Sequence, residues 1–193
     1  MPTILYLHGF LSSPRSAKAQ MTERWLQRAH PSWRYECPQL SSYPSIAKQS
    51  LIDFYQKSED LPYIIGSSLG GFWASWCVER FGGKAVLVNP AVAPHTRFQH
   101  FLNQPLKSYY SDDVYKLTER DLTILKACDT ASHQDPSAYH VMLQTGDETL
   151  DYTMALERYQ ASSISLEEGG NHSFEGFENH FEQIFRFFTG QSE

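Results

Sequence analysis

Only three cysteines occur in the 193 residues, Cys37, Cys77 and Cys128, far apart and without a C-x-x-C pair. Their scarcity excludes a disulfide framework and a cysteine-based zinc site, and it fits a reducing compartment. Runs of Lys and Arg are missing too, and the formal net charge is -6. An acidic chain without a basic stripe has no field for a polyanion, so no nucleic acid partner is expected. No apolar stretch approaches the roughly 20 residues that span a bilayer, so no membrane insertion is expected either. The opening Met1-Pro2-Thr3-Ile4-Leu5-Tyr6-Leu7 has no basic segment ahead of a longer apolar region and a cleavage site. From this we expect no signal peptide and a cytoplasmic location. No repeat, low-complexity tract or long linker divides the chain. With 41% hydrophobic and 20% charged residues, a single domain over residues 1–193 with a buried core is expected. Oligomeric state is left open by composition.

What is present is an alternation of short apolar runs with helical periodicity, the pattern of a parallel sheet wound with crossover helices. Strands are expected near residues 3 to 7, 34 to 38, 62 to 66, 84 to 89, 139 to 145 and 163 to 167. Ser13 followed by Pro14 predicts the start of the first helix, as a cap and an N1 proline. Ile46, Leu51 and Phe54 mark the second helix, and a third runs from about Leu69 to Arg80. Phe174, Phe177, Phe181, Ile184, Phe185 and Phe188 form the stripe of a last helix, read as core. The connection from Pro90 to Ser137 is longer than one crossover needs. Thr118-Glu119-Arg120-Asp121 resembles a capping box and predicts a helix over 118–128. Residues 91–117 are left as a short partial cover between strands four and five, rich in aromatics such as Phe98, Phe101, Tyr109 and Tyr110.

Gly66-Ser67-Ser68-Leu69-Gly70-Gly71 directly follows the apolar Tyr63-Ile64-Ile65 and precedes a helical pattern. A Gly-x-Ser-x-Gly run alone arises by chance in roughly one of 15 such chains. Between a strand and a helix, however, it is the context of a nucleophile elbow, which holds a serine hydroxyl clear of the sheet. Ser68 is therefore the candidate nucleophile. A serine hydroxyl needs a base to take its proton. His172, in Gly169-Gly170-Asn171-His172-Ser173-Phe174 between the last strand and the last helix, lies where ligands bind in open α/β folds. A carboxylate must orient that histidine. Asp147 directly follows the fifth strand and is favoured; Glu148 is expected to face water, and Asp151, the second choice, to cap the next helix. Asn89, at the end of the fourth strand, cannot carry the charge. Ser68, Asp147 and His172 follow the chain order of α/β hydrolases. Oxyanion donors are expected from the backbone amides of Leu69, at a helix N-terminus, and Phe10, in the loop after the first strand. His8 is read as a structural hydrogen-bonding residue. Tyr109 and Tyr110 are candidates for an apolar wall around an acyl group, with Leu11, Phe72 and Val92 as further substrate-binding candidates. No metal ligand set and no cofactor are expected.

Taken together, Tyr6-Leu7-His8-Gly9-Phe10, Ser12-Ser13-Pro14-Arg15-Ser16-Ala17-Lys18-Ala19, the elbow, Asn89-Pro90-Ala91, Thr145-Gly146-Asp147-Glu148 with Leu150-Asp151-Tyr152, and Gly169-Gly170-Asn171-His172 resemble the YqiA-like esterases, small cytoplasmic bacterial α/β hydrolases. The resemblance spans nearly the whole chain; Thr149 departs from it, where a more apolar residue is expected. It implies an α/β-hydrolase fold and hydrolysis of carboxylic esters, with Ser68, Asp147 and His172 in the roles reasoned above. It extends to acyl-CoA thioesters as an alternative substrate class. The expected partner is a small acyl ester or thioester. From another class, an inactive hydrolase scaffold that binds a protein is the competing reading, and a complete set of three chemical groups argues against it. Substrate preference is least determined, because residues 97–138 carry the fewest motifs.

Overall fold

A computed structural model describes residues 1–190, so the last three residues of the expected 1–193 domain lie outside the described residues. Six strands form one sheet: β1 (Thr3–Leu7), β2 (Arg34–Glu36), β3 (Tyr63–Ser67), β4 (Lys84–Val88), β7 (Tyr139–Gln144) and β8 (Ser163–Glu167), in the order β2-β1-β3-β4-β7-β8. Every neighbouring pair is parallel. The six strands sit where the apolar runs predict them. Residues facing one side, such as Leu5, Ile64, Leu87 and Val141, pack under α2 (Pro44–Lys57), α3 (Leu69–Phe81), α5 (Glu119–Cys128) and α6 (Tyr152–Arg158). Their alternate neighbours Ile4, Ile65, Val86 and Met142 pack under α1 (Ala17–Ala29) and α7 (Phe181–Thr189). Burial on both faces is why β1, β3, β4 and β7 read as continuous apolar runs, whereas the edge strands β2 and β8 do not. Among the described residues, no helix is long and apolar enough to cross a membrane.

Three helices depart from expectation. The first starts at Ala17 rather than beside Ser13, because the buried Ser13 hydroxyl accepts the Arg15 N–H within a turn and Ser16 becomes the N-cap. On α2 the buried face is Pro44, Ala47, Leu51 and Tyr55, while Ile46 is 52% exposed. The final aromatic stripe is buried throughout but is not one helix: Phe174 and Gly176 have φ of 60° and 73°, and a 3₁₀ turn over Phe177–His180 precedes α7. Positive φ stops helix propagation, so the stripe turns before α7 while staying packed on one face of the sheet. In α5, Asp121 accepts the N–H and hydroxyl of Thr118 at 2.8 Å each, as the capping sequence predicts.

The segment 91–117 is more regular than the sequence suggests. It holds α4 (Pro94–Phe98), a 3₁₀ turn over Gln99–Phe101, and an antiparallel ribbon of β5 (Leu106–Lys107) and β6 (Val114–Tyr115). The Phe98 and Phe10 rings meet at 4.6 Å, and the Tyr109 N–H donates to the Leu11 carbonyl at 2.9 Å. These contacts fasten the segment over the loop that follows β1.

Candidate active site

The sheet order reverses between β1 and β3: the chain goes from β1 outward to β2, then returns to the other side of β1. A crevice opens outside the carboxyl ends of strands at such a switch. The loop after β1 and the turn after β3 both lie there. At the β3–α3 turn Ser68 has φ 56° and ψ -121°, a sparsely populated backbone conformation. Flanking glycines permit it. A Cβ on Gly70 would overlap the Leu7 carbonyl, and one on Gly66 would overlap the Gly70 carbonyl. Polar backbone bonds hold the turn: Ser68 N–H donates to the Val88 carbonyl and the Ala91 N–H to the Ser68 carbonyl, both at 3.0 Å.

His172 reaches this turn from the loop after β8. Its Nε2 lies 3.0 Å from Ser68 Oγ, and its Nδ1 lies 2.9 and 2.8 Å from the two carboxylate oxygens of Asp147. Asp147 follows β7, its side chain only 2% exposed. Burial pushes its pKa up, but hydrogen bonds from His172 and from the Leu150 and Thr149 N–H groups outweigh that and hold it below the usual carboxylate range. An ionised Asp147 can only accept, so Nδ1 carries the imidazole proton and the Nε2 lone pair faces the serine hydroxyl. The arrangement can take a proton from Ser68 as its oxygen attacks.

Asp151 does not approach the histidine. It is the N-cap of α6, accepting the Thr153 N–H at 2.9 Å and hydroxyl at 2.6 Å. Glu148 is exposed, as expected, yet its carboxylate accepts the His172 N–H at 2.9 Å, which holds its pKa below the usual range. His8 is buried; its ring hydrogen-bonds the Gly9 carbonyl and accepts the Leu40 N–H at 3.0 Å, and burial lowers its pKa. A structural role fits those contacts.

The Gly9–Phe10 backbone passes close to the serine: a Cβ on Gly9 would stand 3.3 Å from Ser68 Cβ. Leu69 opens α3, so its N–H has no helix carbonyl a turn earlier to meet. Both amides therefore belong to segments that border the Ser68 hydroxyl.

Around these groups lies an open cavity of about 490 Å³. Leu11, Val92, Tyr109 and Tyr110 line it, joined by Phe98 and Phe101. Tyr109 is 77% exposed and stands at the rim. Phe72 is a correction: it is buried in the core beside Trp73 and does not line the cavity. Elbow-helix periodicity alone does not separate the core side from the cavity side.

Several positioning residues escape a sequence reading. Buried Asn89, with φ 41°, donates from Nδ2 to the Asn171 and His172 carbonyls at 3.0 and 3.3 Å and accepts the Gln144 N–H at 3.1 Å. Gln144 Oε1 accepts the N–H groups of Asn171 and Glu175 at 3.1 and 2.8 Å. The signal available in the sequence is one polar amide ending each of two apolar runs. Among the described residues, no three His, Cys, Asp or Glu side chains converge as a metal site would need.

A family model described as uncharacterised protein family UPF0227 matches residues 3–189. Among solved structures, ferulic acid-bound Est1E from Butyrivibrio proteoclasticus superposes with a TM-score of 0.74 at 12% identity, covering 99% of this chain and 89% of that one. Alpha/beta hydrolase domain-containing protein 10 from mouse gives 0.68 at 14%, with 96% and 87% covered. The esterase domain of a Rhodothermus marinus protein gives 0.66 at 13%, with 97% and 84% covered. The chain has the α/β-hydrolase fold.

Proposed function

The chain belongs to the uncharacterised protein family UPF0227, the YqiA-like family, and on that premise we propose that it is a serine esterase that cleaves small to medium acyl esters through an acyl-enzyme. One observation carries the reading: a strained serine at a glycine-flanked elbow, 3.0 Å from a histidine whose other nitrogen meets a buried carboxylate. Strain of this kind persists only where the surroundings enforce it, and it clusters at functional sites. The esterases among the structural neighbours are compatible with the same chemistry.

In this mechanism Ser68 Oγ attacks the acyl carbon while His172 Nε2 takes its proton. Asp147 keeps the imidazole in the required tautomer and stabilises the imidazolium. The Phe10 and Leu69 amides donate to the oxyanion of the tetrahedral intermediate, and the helix dipole of α3 adds to the second. His172 then hands the proton to the leaving oxygen. Water, activated by His172 in the same way, releases the acid and restores Ser68.

A fluorophosphonate probe tests the proposal directly. Labelling of the folded protein at Ser68, located by peptide mass spectrometry and abolished in Ser68→Ala, is the expected result. A folded wild-type protein that stays unlabelled would sink it in favour of a scaffold that only binds. Rates on matched ester and thioester substrates then define the substrate class.

A further inference from the structure

The segment Ser16-Ala17-Lys18 has no part in the mechanism above, yet all three residues line the cavity. They are the N-cap and the first two helical residues of α1, whose N-terminus therefore stands at the cavity wall. Lys18 Nζ donates to the Ser173 carbonyl at 2.7 Å, beside His172. That uses one of its three N–H groups. Among the described residues it forms no ion pair.

The cavity wall is also unlike the rest of the molecule in charge. The chain has 22 carboxylate residues against 16 Lys and Arg. Among the described residues the wall holds two such cations, Lys18 and Arg97, and no carboxylate side chain. Arg97 donates to the Thr149 carbonyl, two residues after Asp147. Both cations therefore bond to backbone carbonyls on the side of the loops that carry His172 and Asp147. A leaving group that receives its proton from His172 must lie on that same side. Burial lowers the Lys18 pKa to about 8, opposed by Asp147, so at neutral pH the ammonium is still charged and poorly hydrated. A partly desolvated cation gains more from an anionic partner than one in water does.

We propose that Lys18 binds a negatively charged oxygen group, carboxylate or phosphate, on the leaving-group side of the ester this cavity takes. The inference rests on the serine-esterase reading, because that reading makes His172, beside Lys18, the proton donor to the leaving group. Binding to Ser68→Ala, which leaves the ligand intact, tests it without relying on turnover. Three butyryl esters serve as ligands in titration calorimetry: that of glycolate, that of 2-hydroxyethyl phosphate, and that of glycolamide as the neutral comparison. At least one anionic ester should bind about tenfold or more tightly than the glycolamide ester. The stronger of the two identifies carboxylate or phosphate. In Ser68→Ala/Lys18→Met, with the apolar stem kept, that advantage should vanish; in Ser68→Ala/Lys18→Arg much of it should remain. Equal affinities in Ser68→Ala, or no binding of any ester, would overturn the proposal. So would an equal loss for charged and neutral esters in the Lys18→Met protein, since a lysine that only anchors the His172 loop cannot distinguish them. Failure of the esterase reading shows separately, as a wild-type protein that the fluorophosphonate does not label.

Discussion

Ser67 and Ser68 differ in chemistry because one ends a strand and the other occupies the turn. Ser67 is buried at the end of β3 and hydrogen-bonds toward Tyr6, whereas Ser68 has the positive φ that lifts its hydroxyl to His172. Ser68→Ala should lower ester turnover by on the order of 10⁶ with an unchanged melting temperature. Ser67→Ala should keep much of its activity; the opposite ranking would move the nucleophile. The two aspartates separate in the same way. Asp147→Asn cannot hold the imidazole tautomer and should cost about 10⁴ in kcat. Asp151→Ala removes a helix cap instead, so it should cost about 1 kcal/mol of stability and little turnover. Denaturant titration beside steady-state kinetics separates the two effects.

The loops after β7 and β8 act as a pair, because Asp147 and His172 keep their distance only if both loops are held. Asn89, Gln144 and Glu148 supply that hold through hydrogen bonds to backbone groups. Asn89→Ala removes the acceptor of the buried Gln144 N–H and the donor to the His172 carbonyl, which should cost about 1–3 kcal/mol. If Asn89 positions the histidine, kcat should fall in that variant with a smaller change in KM. Loss of stability with kcat intact would make it structural only. The segment 91–117 borders the cavity through Pro94 and Phe98 of α4 and through Leu106, Tyr109 and Tyr110 in and beside the ribbon. Replacing Phe101 and Tyr110 together by alanine should weaken long acyl esters more than acetate, since each buried methylene is worth roughly 0.8 kcal/mol. A chain-length series on this variant checks the wall. Tyr109, mostly exposed, should contribute least.

For the molecule as a whole, Lys18 and Asp147 make opposite demands on stability. Asp147 has a depressed pKa when folded, so its contribution is present above the ordinary carboxylate value near ~3.9 and is lost as pH falls through the folded pKa. Lys18 is depressed to about 8. The unfolded chain then binds the extra proton above that pH, so stability rises between about 8 and the ordinary lysine value near ~10.4. Below about 8 the penalty for burying the ammonium is complete. Lys18→Met should therefore raise the melting temperature at pH 7, with the gain shrinking as the pH approaches 10. A gain that is absent at pH 7 or independent of pH would mean that Lys18 is better solvated than its place in the wall implies.

Local chemistry made much of this protein readable from the chain. Apolar runs buried on both faces mark the four central strands, a Gly-x-Ser-x-Gly turn demands its glycines for steric reasons, and Thr118 with Asp121 states a helix start. Chain order at strand ends was enough to nominate Ser68, Asp147 and His172, because a parallel sheet brings all its carboxyl ends to one edge. Packing decided the rest. Whether Phe72 faces the core or the cavity depends on the orientation of α3 against β4, which periodicity does not contain. The first helix begins at Ala17 because a turn consumes the Ser13 hydroxyl, and only the packed structure shows its first turn, with Lys18, at the cavity wall. Asn89, Gln144 and Glu148 hold the His172 loop across sequence separations of 82, 27 and 24 residues. Such contacts exist only after the strands have assembled, since no local propensity selects a partner that far along the chain.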